Sequence, residues 1–423
     1  MNKQVLQTLI IYSVTFILCL LSATSIVFAE TSANFALSEH WAMGQQIKLR
    51  FTTLQSPIVA APLNLQNGLT LTFGDIISLG DLYGIVGRPI SHAANQLERQ
   101  ARFKEVFKTF AKSTPAITEV MELNTVIKKE MTEIEAAREQ GETAEAFARR
   151  IGVETARQVN CITGGGCTNY GWWLSPGRYL LLALENYDHF AQNNLAVYES
   201  GHQVALTQAL KAHTTGNRAD LELAYAMDAF ACHFLSDHFA AGHLRTPREE
   251  LKNLITPAVL GSLLSIYMHN EESMHGIHVH NDLGEQWVTY GDFAYYNPLN
   301  QTNQQILLRS LQQSVDEIFD AYYTGQVPEK SLVTSMTPQV DKIPDENNMD
   351  IAPMFYWDEQ DKKLLRRTDL SNPYDRHWTK NWWGWSTLVL LKAQYGITST
   401  VQISLTRYLS SHSPQEWANA AVG

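Results

Sequence analysis

Four things are scarce in this chain, and each scarcity removes a class of protein. Basic residues are short: 32 Lys and Arg stand against 43 Asp and Glu, for a formal net charge of −11. Gripping a long nucleic acid takes a basic footprint that such a chain does not have, although small or zwitterionic substrates stay open to it. Long apolar runs are limited to one, from Thr8 to about Phe28, so nothing beyond it is expected to cross a membrane. Only three of the four cysteines follow that run, so they form at most one disulfide. Strict apolar–polar alternation is also rare, which argues against a sheet-based fold.

The apolar run reads as a leader. Lys3 supplies the positive start, the run supplies the apolar middle, and Ser-Ile-Val-Phe-Ala at 25–29 offers the small residues that a signal peptidase reads. Cleavage is expected after Ala29, giving a secreted or periplasmic protein; the competing reading is an uncleaved anchor. Beyond it, Cys161 and Cys167 bracket Ile-Thr-Gly-Gly-Gly, a short flexible loop that an oxidising compartment could close into a bridge. Cys232, beside His233, then reads as a small buried packing residue rather than a nucleophile.

What the chain has in quantity is helical periodicity. Phe103, Val106, Phe107 and Phe110 mark one helix face that Pro115 interrupts, and charged helix-forming sequence continues to 158. The stretch 100–158 reads as a helical pair outside the core. Helices are also expected over 178–212, over 220–241 with Asp220 as cap and Gly242 as stop, and over 254–272. Leu308, Leu311, Val315, Phe319 and Tyr322 stripe another that stops at Gly325. After Pro328 the composition turns Pro-rich. The expected organisation is a leader at 1–29, an all-α, multi-helix domain at 30–328, and an irregular cap or tail at 329–423.

The chemistry concentrates in His233-Phe-Leu-Ser-Asp237-His-Phe-Ala-Ala-Gly-His243. Residues i and i+4 of a helix share a side, so His233 and Asp237 can reach one ion, and His243 can turn back toward a second. Histidine and aspartate are ordinary zinc ligands. Further candidates are His40, Asp81, His189 in Asp188-His189-Phe190, and His269 with Glu272 at i+3 or Glu271 at i+2. Arg245 and Arg248 offer bidentate donors for a phosphate, against the bland reading of a salt bridge pinning the loop. His202, His213, His275, His278, His280 and His377 read as surface or structural, with His280, near Asp282 and Glu285, also open as a missing ligand, and His238 reads as a neighbour of the site or a surface residue. Trp378, Trp382, Trp383 and Trp385 suit either an interface with lipid or packing of the tail on the core.

These motifs resemble the secreted bacterial zinc-dependent phospholipases C, whose fold is shared with fungal single-strand-specific nucleases. His233, Asp237 and His243 match the family's His-x3-Asp with a further His, and Asp188-His189-Phe190 matches an earlier Asp-His-Phe. Leu-Thr-Phe-Gly-Asp-Ile-Ile-Ser-Leu-Gly-Asp81 and Gly242-His-Leu-Arg245-Thr-Pro-Arg248 are similar to a branch of larger exported lipases. The resemblance covers residues 36–300 and implies two or three zinc ions. One would be held by Asp81, His189, His233 and Asp237. A second would be held by His243, His269 and Glu272 or Glu271; a third would use His40 and share Asp237. Asp81 would act both as ligand and as catalytic base. Two departures stand out: position 273, where smaller members carry the acid, is Ser, and cleavage after Ala29 leaves the new N-terminus ten residues before His40. The implied activity is hydrolysis of a glycerophospholipid at a membrane or micelle surface to diacylglycerol and a phosphorylated head group, with no nucleic acid partner. The alternatives are a nuclease on the same scaffold or a non-enzymatic zinc-binding surface protein.

Overall fold

A computed structural model describes residues 37–142, 144–291, 294–341 and 349–395. The expected leader, the cleavage after Ala29 and the end of the tail lie outside them. The architecture is mostly α, as the scarcity of alternation predicts. Helix α1 (Leu37–Gln45) leads into two small hairpins, β1 (Lys48–Leu49) with β2 (Ile58–Val59) and β3 (Leu63–Asn64) with β4 (Thr70–Leu71). Helix α2 (Phe73–Ile77) follows, started by a capping box in which the Thr72 hydroxyl accepts from Asp75 N–H and the Asp75 carboxylate accepts from Thr72 N–H. Then come α3 (Gln96–Ala111), α4 (Ala116–Glu139), α5 (Ala144–Ile162) and α6 (Arg178–Ala183).

The centre of the molecule is the pair α7 (Ala191–Thr215) and α8 (Arg218–Asp237). They are followed by α9 (Ala241–Leu244), α10 (Arg248–Leu254), α11 (Ala258–His275), the hairpin β5 (Ile277–His280) with β6 (Gln286–Thr289), and α12 (Gln301–Thr324), which packs on both α7 and α8. Helix α12 ends where expected, at Gly325, whose φ of 72° glycine adopts without strain. The stripe Phe103, Val106, Phe107 and Phe110 is buried on α3, which packs on α7. Segment 100–158 is therefore not wholly an outer scaffold: its first helix helps build the main core, and α4 packs on α1.

Two expected boundaries move for local reasons. Helix α8 starts at Arg218 because the Asn217 side chain accepts from Ala219 N–H; Asp220 sits inside the first turn and takes Lys211 Nζ at 2.6 Å. It ends at Asp237, so Gly242 does not stop it. Gly242 instead allows close packing, since a β-carbon there would lie 2.5 Å from the His269 carbonyl. Helix α11 starts at Ala258 rather than 254, after Pro257.

The tail carries regular structure over its described part. After α13 (Val333–Met336), β7 (Phe355–Asp358), β8 (Lys363–Arg367) and β9 (Trp378–Thr379) form an antiparallel sheet, followed by α14 (Gly384–Tyr395). Phe355, Leu388 and Leu391 share a second core with Leu263, Leu264 and Met268 of α11. The Trp378 and Trp382 indoles donate to the carbonyls of Pro353 and Leu364, while Trp383 is exposed. Cys161 and Cys167 are bridged, and Cys232 is free and buried.

A buried polar cluster joins α7, α8 and α12. His202 Nδ1 lies 2.7 Å from Asp228 and Nε2 lies 3.1 Å from Glu317, while the Ser314 hydroxyl bonds Asp228. Tyr198 and Cys232 complete it. Burial pulls the His202 pKa down, but Asp228 and then Glu317 outweigh it and raise it from 6.5 to about 9. A raised histidine contributes stability in full below its unfolded value and loses it as pH climbs through the folded one. Glu317 behaves oppositely: burial raises its pKa, His202 more than reverses this, and its contribution is lost in acid. Denaturant titrations from pH 6 to 10 should therefore lose on the order of 3 kcal/mol of unfolding free energy, mostly approaching pH 9. A flat profile over that range would contradict the charged cluster.

Candidate metal centre

Helix α8 places His233 and Asp237 one turn apart on one face, both buried. Two of the surrounding imidazoles, His233 and His40, are aimed by a hydrogen bond on the far side. His233 Nδ1 donates to the Ile77 carbonyl at 3.0 Å, which leaves Nε2 pointing inward. The Ser236 hydroxyl donates to the His233 carbonyl at 2.7 Å and accepts from His40 Nδ1 at 2.8 Å, so His40 also turns Nε2 inward. His243 Nδ1 donates to the His189 carbonyl at 2.8 Å. Gly80 is required for the approach of α8, because a β-carbon there would lie 2.0 Å from the His233 ring.

The donor spacing could hold a metal ion: the ligand atoms of His189, His233 and Asp237 all lie within 4.8 Å of one another. Zinc bonds of about 2.1 Å in a tetrahedron separate the ligand atoms by about 3.4 Å. Among Asp81, His189, His233 and Asp237, His189 Nδ1 lies 2.8 Å from Asp237 Oδ2, 3.4 Å from Asp81 Oδ1 and 3.1 Å from His233 Nε2. His233 Nε2 lies 3.4 Å from Asp237 Oδ2 and 3.7 Å from Asp81 Oδ1. The other oxygen of Asp237 faces elsewhere: Oδ1 is 3.4 Å from His40 Nε2 and 3.8 Å from His243 Nδ1. Asp237 thus presents one oxygen to each of two groups of imidazoles. His40, Asp81 and His233 form a further set with ligand atoms within 4.8 Å of one another.

The electrostatics show a centre that wants positive charge. Burial pushes the Asp237 carboxyl up, but His233 and His243 reverse this and hold it well below the usual range. Asp81 is likewise raised by burial but brought down to about 2 by His233 and His189. Burial lowers His189, yet Asp237 and Asp81 lift it to about 9. His40 is lowered, by burial first and by the neighbouring His233 second.

The second expected group is brought together in part. The His243 and His269 rings lie 4.9 Å apart, and Phe190 stacks on His243 at 4.6 Å. Glu272 gives Oε1 to Arg245 Nε at 2.6 Å; its Oε2 is buried with no hydrogen-bond partner among the described residues. Burial raises the Glu272 pKa to about 7, with Arg245 opposing. Glu271 points to the other side and spends both oxygens on Arg367. Arg245 is engaged by Glu272 and by the Ile351 carbonyl. Arg248 is buried and makes no salt bridge among the described residues.

A small cavity of about 50 Å³ opens between the two groups, bordered by Asp81, His189, His243 and His269. Asp81 is the most accessible donor of the first group, with 26 % of its side chain exposed. The remaining histidines stay apart: His213 bonds the Tyr322 carbonyl, His278 bonds Asp350, His377 bonds Asp375, His280 is exposed, and His238 is buried between Asn194 and the Pro338 carbonyl. Reading the sequence alone missed Ser236 and the Ile77 carbonyl. Ser236 stands inside the ligand motif and could have been suspected; a carbonyl leaves no signal. Comparison of the chain with family models, curated proteins and solved structures finds no match.

Proposed function

We propose that the protein is an exported zinc-dependent phospholipase C, hydrolysing a glycerophospholipid to diacylglycerol and a phosphorylated head group. The observation that carries the reading is the set of five inter-ligand distances, 2.8 to 3.7 Å, among Asp81, His189, His233 and Asp237. His40 would hold a neighbouring ion together with Oδ1 of Asp237. His243, His269 and Glu272 would hold another, Glu272 through its unengaged Oε2. Zinc in such a place supplies Lewis acidity, neutralising phosphoryl oxygens and acidifying water.

The chain's own part follows from the cavity. Asp81 faces it as an ionised carboxylate and can accept the proton of the attacking water. Water adds to phosphorus, the bond to the glycerol oxygen breaks, and that oxygen takes a proton from solvent water to leave as diacylglycerol, while Asp81 gives its proton back to solvent. The buried walls exclude bulk water from the remaining donors. The acidic net charge supports a lipid over a nucleic acid as substrate.

Residues 30–423 should release phosphocholine or phosphoglycerol from the corresponding phosphatidyl lipids, and a zinc chelator should abolish release. Bound zinc without lipid turnover, together with cleavage of single-stranded DNA, would replace this reading with a nuclease. Bound zinc with neither activity would leave a non-enzymatic zinc protein.

A further inference from the structure

Three arginines are buried around α10 and α11, and two have a carboxylate partner. Arg245 pairs with Glu272, and Arg367 makes a two-point contact with Glu271. Arg248 has none among the described residues. Its Nε donates to Asn186 Oδ1 at 2.8 Å, Nη1 to the Ser262 carbonyl at 3.1 Å and to Ser265 Oγ at 2.5 Å, and Nη2 to the Ala183 carbonyl at 2.8 Å. Every one of these acceptors is neutral. Burial lowers its pKa only to about 10, so it keeps its charge at neutral pH. A buried cation held by dipoles alone is costly, and the usual remedy, used for both neighbours, is a carboxylate.

The position of Arg248 explains the missing partner. It borders the same 50 Å³ cavity as Asp81, His189, His243 and His269. It also borders a wider groove of about 640 Å³, which Phe190 lines as well. Its guanidinium lies 5.9 Å from the centre of the Phe190 ring, which in turn stacks on His243. An anion entering the small cavity would meet a buried positive charge that no carboxylate among the described residues answers.

We propose that Arg248 is the anion anchor of the cavity, fixing a phosphate oxygen of the substrate and of the phosphomonoester product. The inference deepens the phosphodiesterase reading by giving its substrate a docking point distinct from the donor cluster. The two can fail separately, because phosphate binding is measured without turnover.

The test titrates inorganic phosphate into the zinc-loaded protein and follows thermal unfolding, with chloride at matched ionic strength as control and zinc content measured in parallel. Phosphate should raise the melting temperature of the unsubstituted protein. Arg248→Met should weaken phosphate binding roughly tenfold or more with zinc content unchanged. Arg248→Lys, which keeps the charge but not the planar fork, should fall between. If Arg248→Met does not fold, Arg248→Lys decides, with at least a roughly threefold loss expected. Equal phosphate affinity in the folded variants, or no phosphate effect on the unsubstituted protein, overturns the proposal even if lipid is cleaved. Arg248-dependent phosphate binding in a protein that cleaves no phosphodiester would leave the anchor standing and remove the activity.

Discussion

His233→Ala and Asp237→Ala should each strip the centre of metal and lower phosphodiester hydrolysis by roughly a thousandfold or more, the loss expected when several kcal/mol of charge stabilisation disappears. The two differ in reach. His233 Nε2 lies on three of the five measured edges of one ligand set. Asp237 serves that set through Oδ2 and faces His40 and His243 through Oδ1. Asp237→Ala should therefore lose more zinc per chain than His233→Ala. Asp237→Asn separates shape from charge: it fills the same space but no longer balances the imidazoles, and should bind zinc far more weakly than the unsubstituted protein. Elemental analysis of the purified variants reads the metal, and head-group release reads the activity. Wild-type zinc content and turnover in both alanine variants would remove these residues from any metal site.

How much of this was legible depended on distance along the chain. His233 and Asp237 announce themselves because four residues is one helical turn, and the i+3 spacing of His269 and Glu272 likewise put both on one face of α11. Asp81, His40 and His189 carry no such local signature. His40 and His189 reach Asp237 across 197 and 48 positions, Asp81 reaches His233 from far earlier in the chain, and only the resemblance of motifs grouped them. Capping was misread at α8 because Asp220 and Asn217 both suit a helix start, and the reach of the Asn217 side chain to Ala219 N–H decided it. The tail sheet escaped notice because strands of four, five and two residues are too short to show alternation. Arg248 leaves two readings open in the sequence, a donor for phosphate and one half of a salt bridge that pins the loop. In the fold Glu249 bonds His92 instead.

Arg367→Met should be the most damaging single substitution outside the ligand set, costing about 3–5 kcal/mol, as expected when a buried charge pair loses one member. Arg367 is fully buried on β8. Its Nη1 and Nη2 donate to the two oxygens of Glu271 at 2.8 and 2.7 Å, and to the carbonyls of Ala352 and Leu370 at 2.8 and 3.1 Å. Tyr395 donates its hydroxyl to Glu271 Oε1 at 2.8 Å, so α14 is tied to the same carboxylate. Removing the guanidinium leaves Glu271 charged and buried and frees the sheet from α11 at once. The double variant Arg367→Met with Glu271→Leu should recover much of the loss, because apolar groups of similar size carry no desolvation penalty. Urea denaturation of the single and double variants measures both terms; a single variant within 1 kcal/mol of the unsubstituted protein, a margin set by ordinary surface changes, would show the pair to be dispensable. The same variants test what the tail does for the site. Glu271 sits two residues after His269 and directly before Glu272, so loosening its hold lets that end of α11 shift. If activity falls in the single variant and returns with stability in the double, the tail supports the metal-binding helix mechanically, through packing rather than through the charge itself.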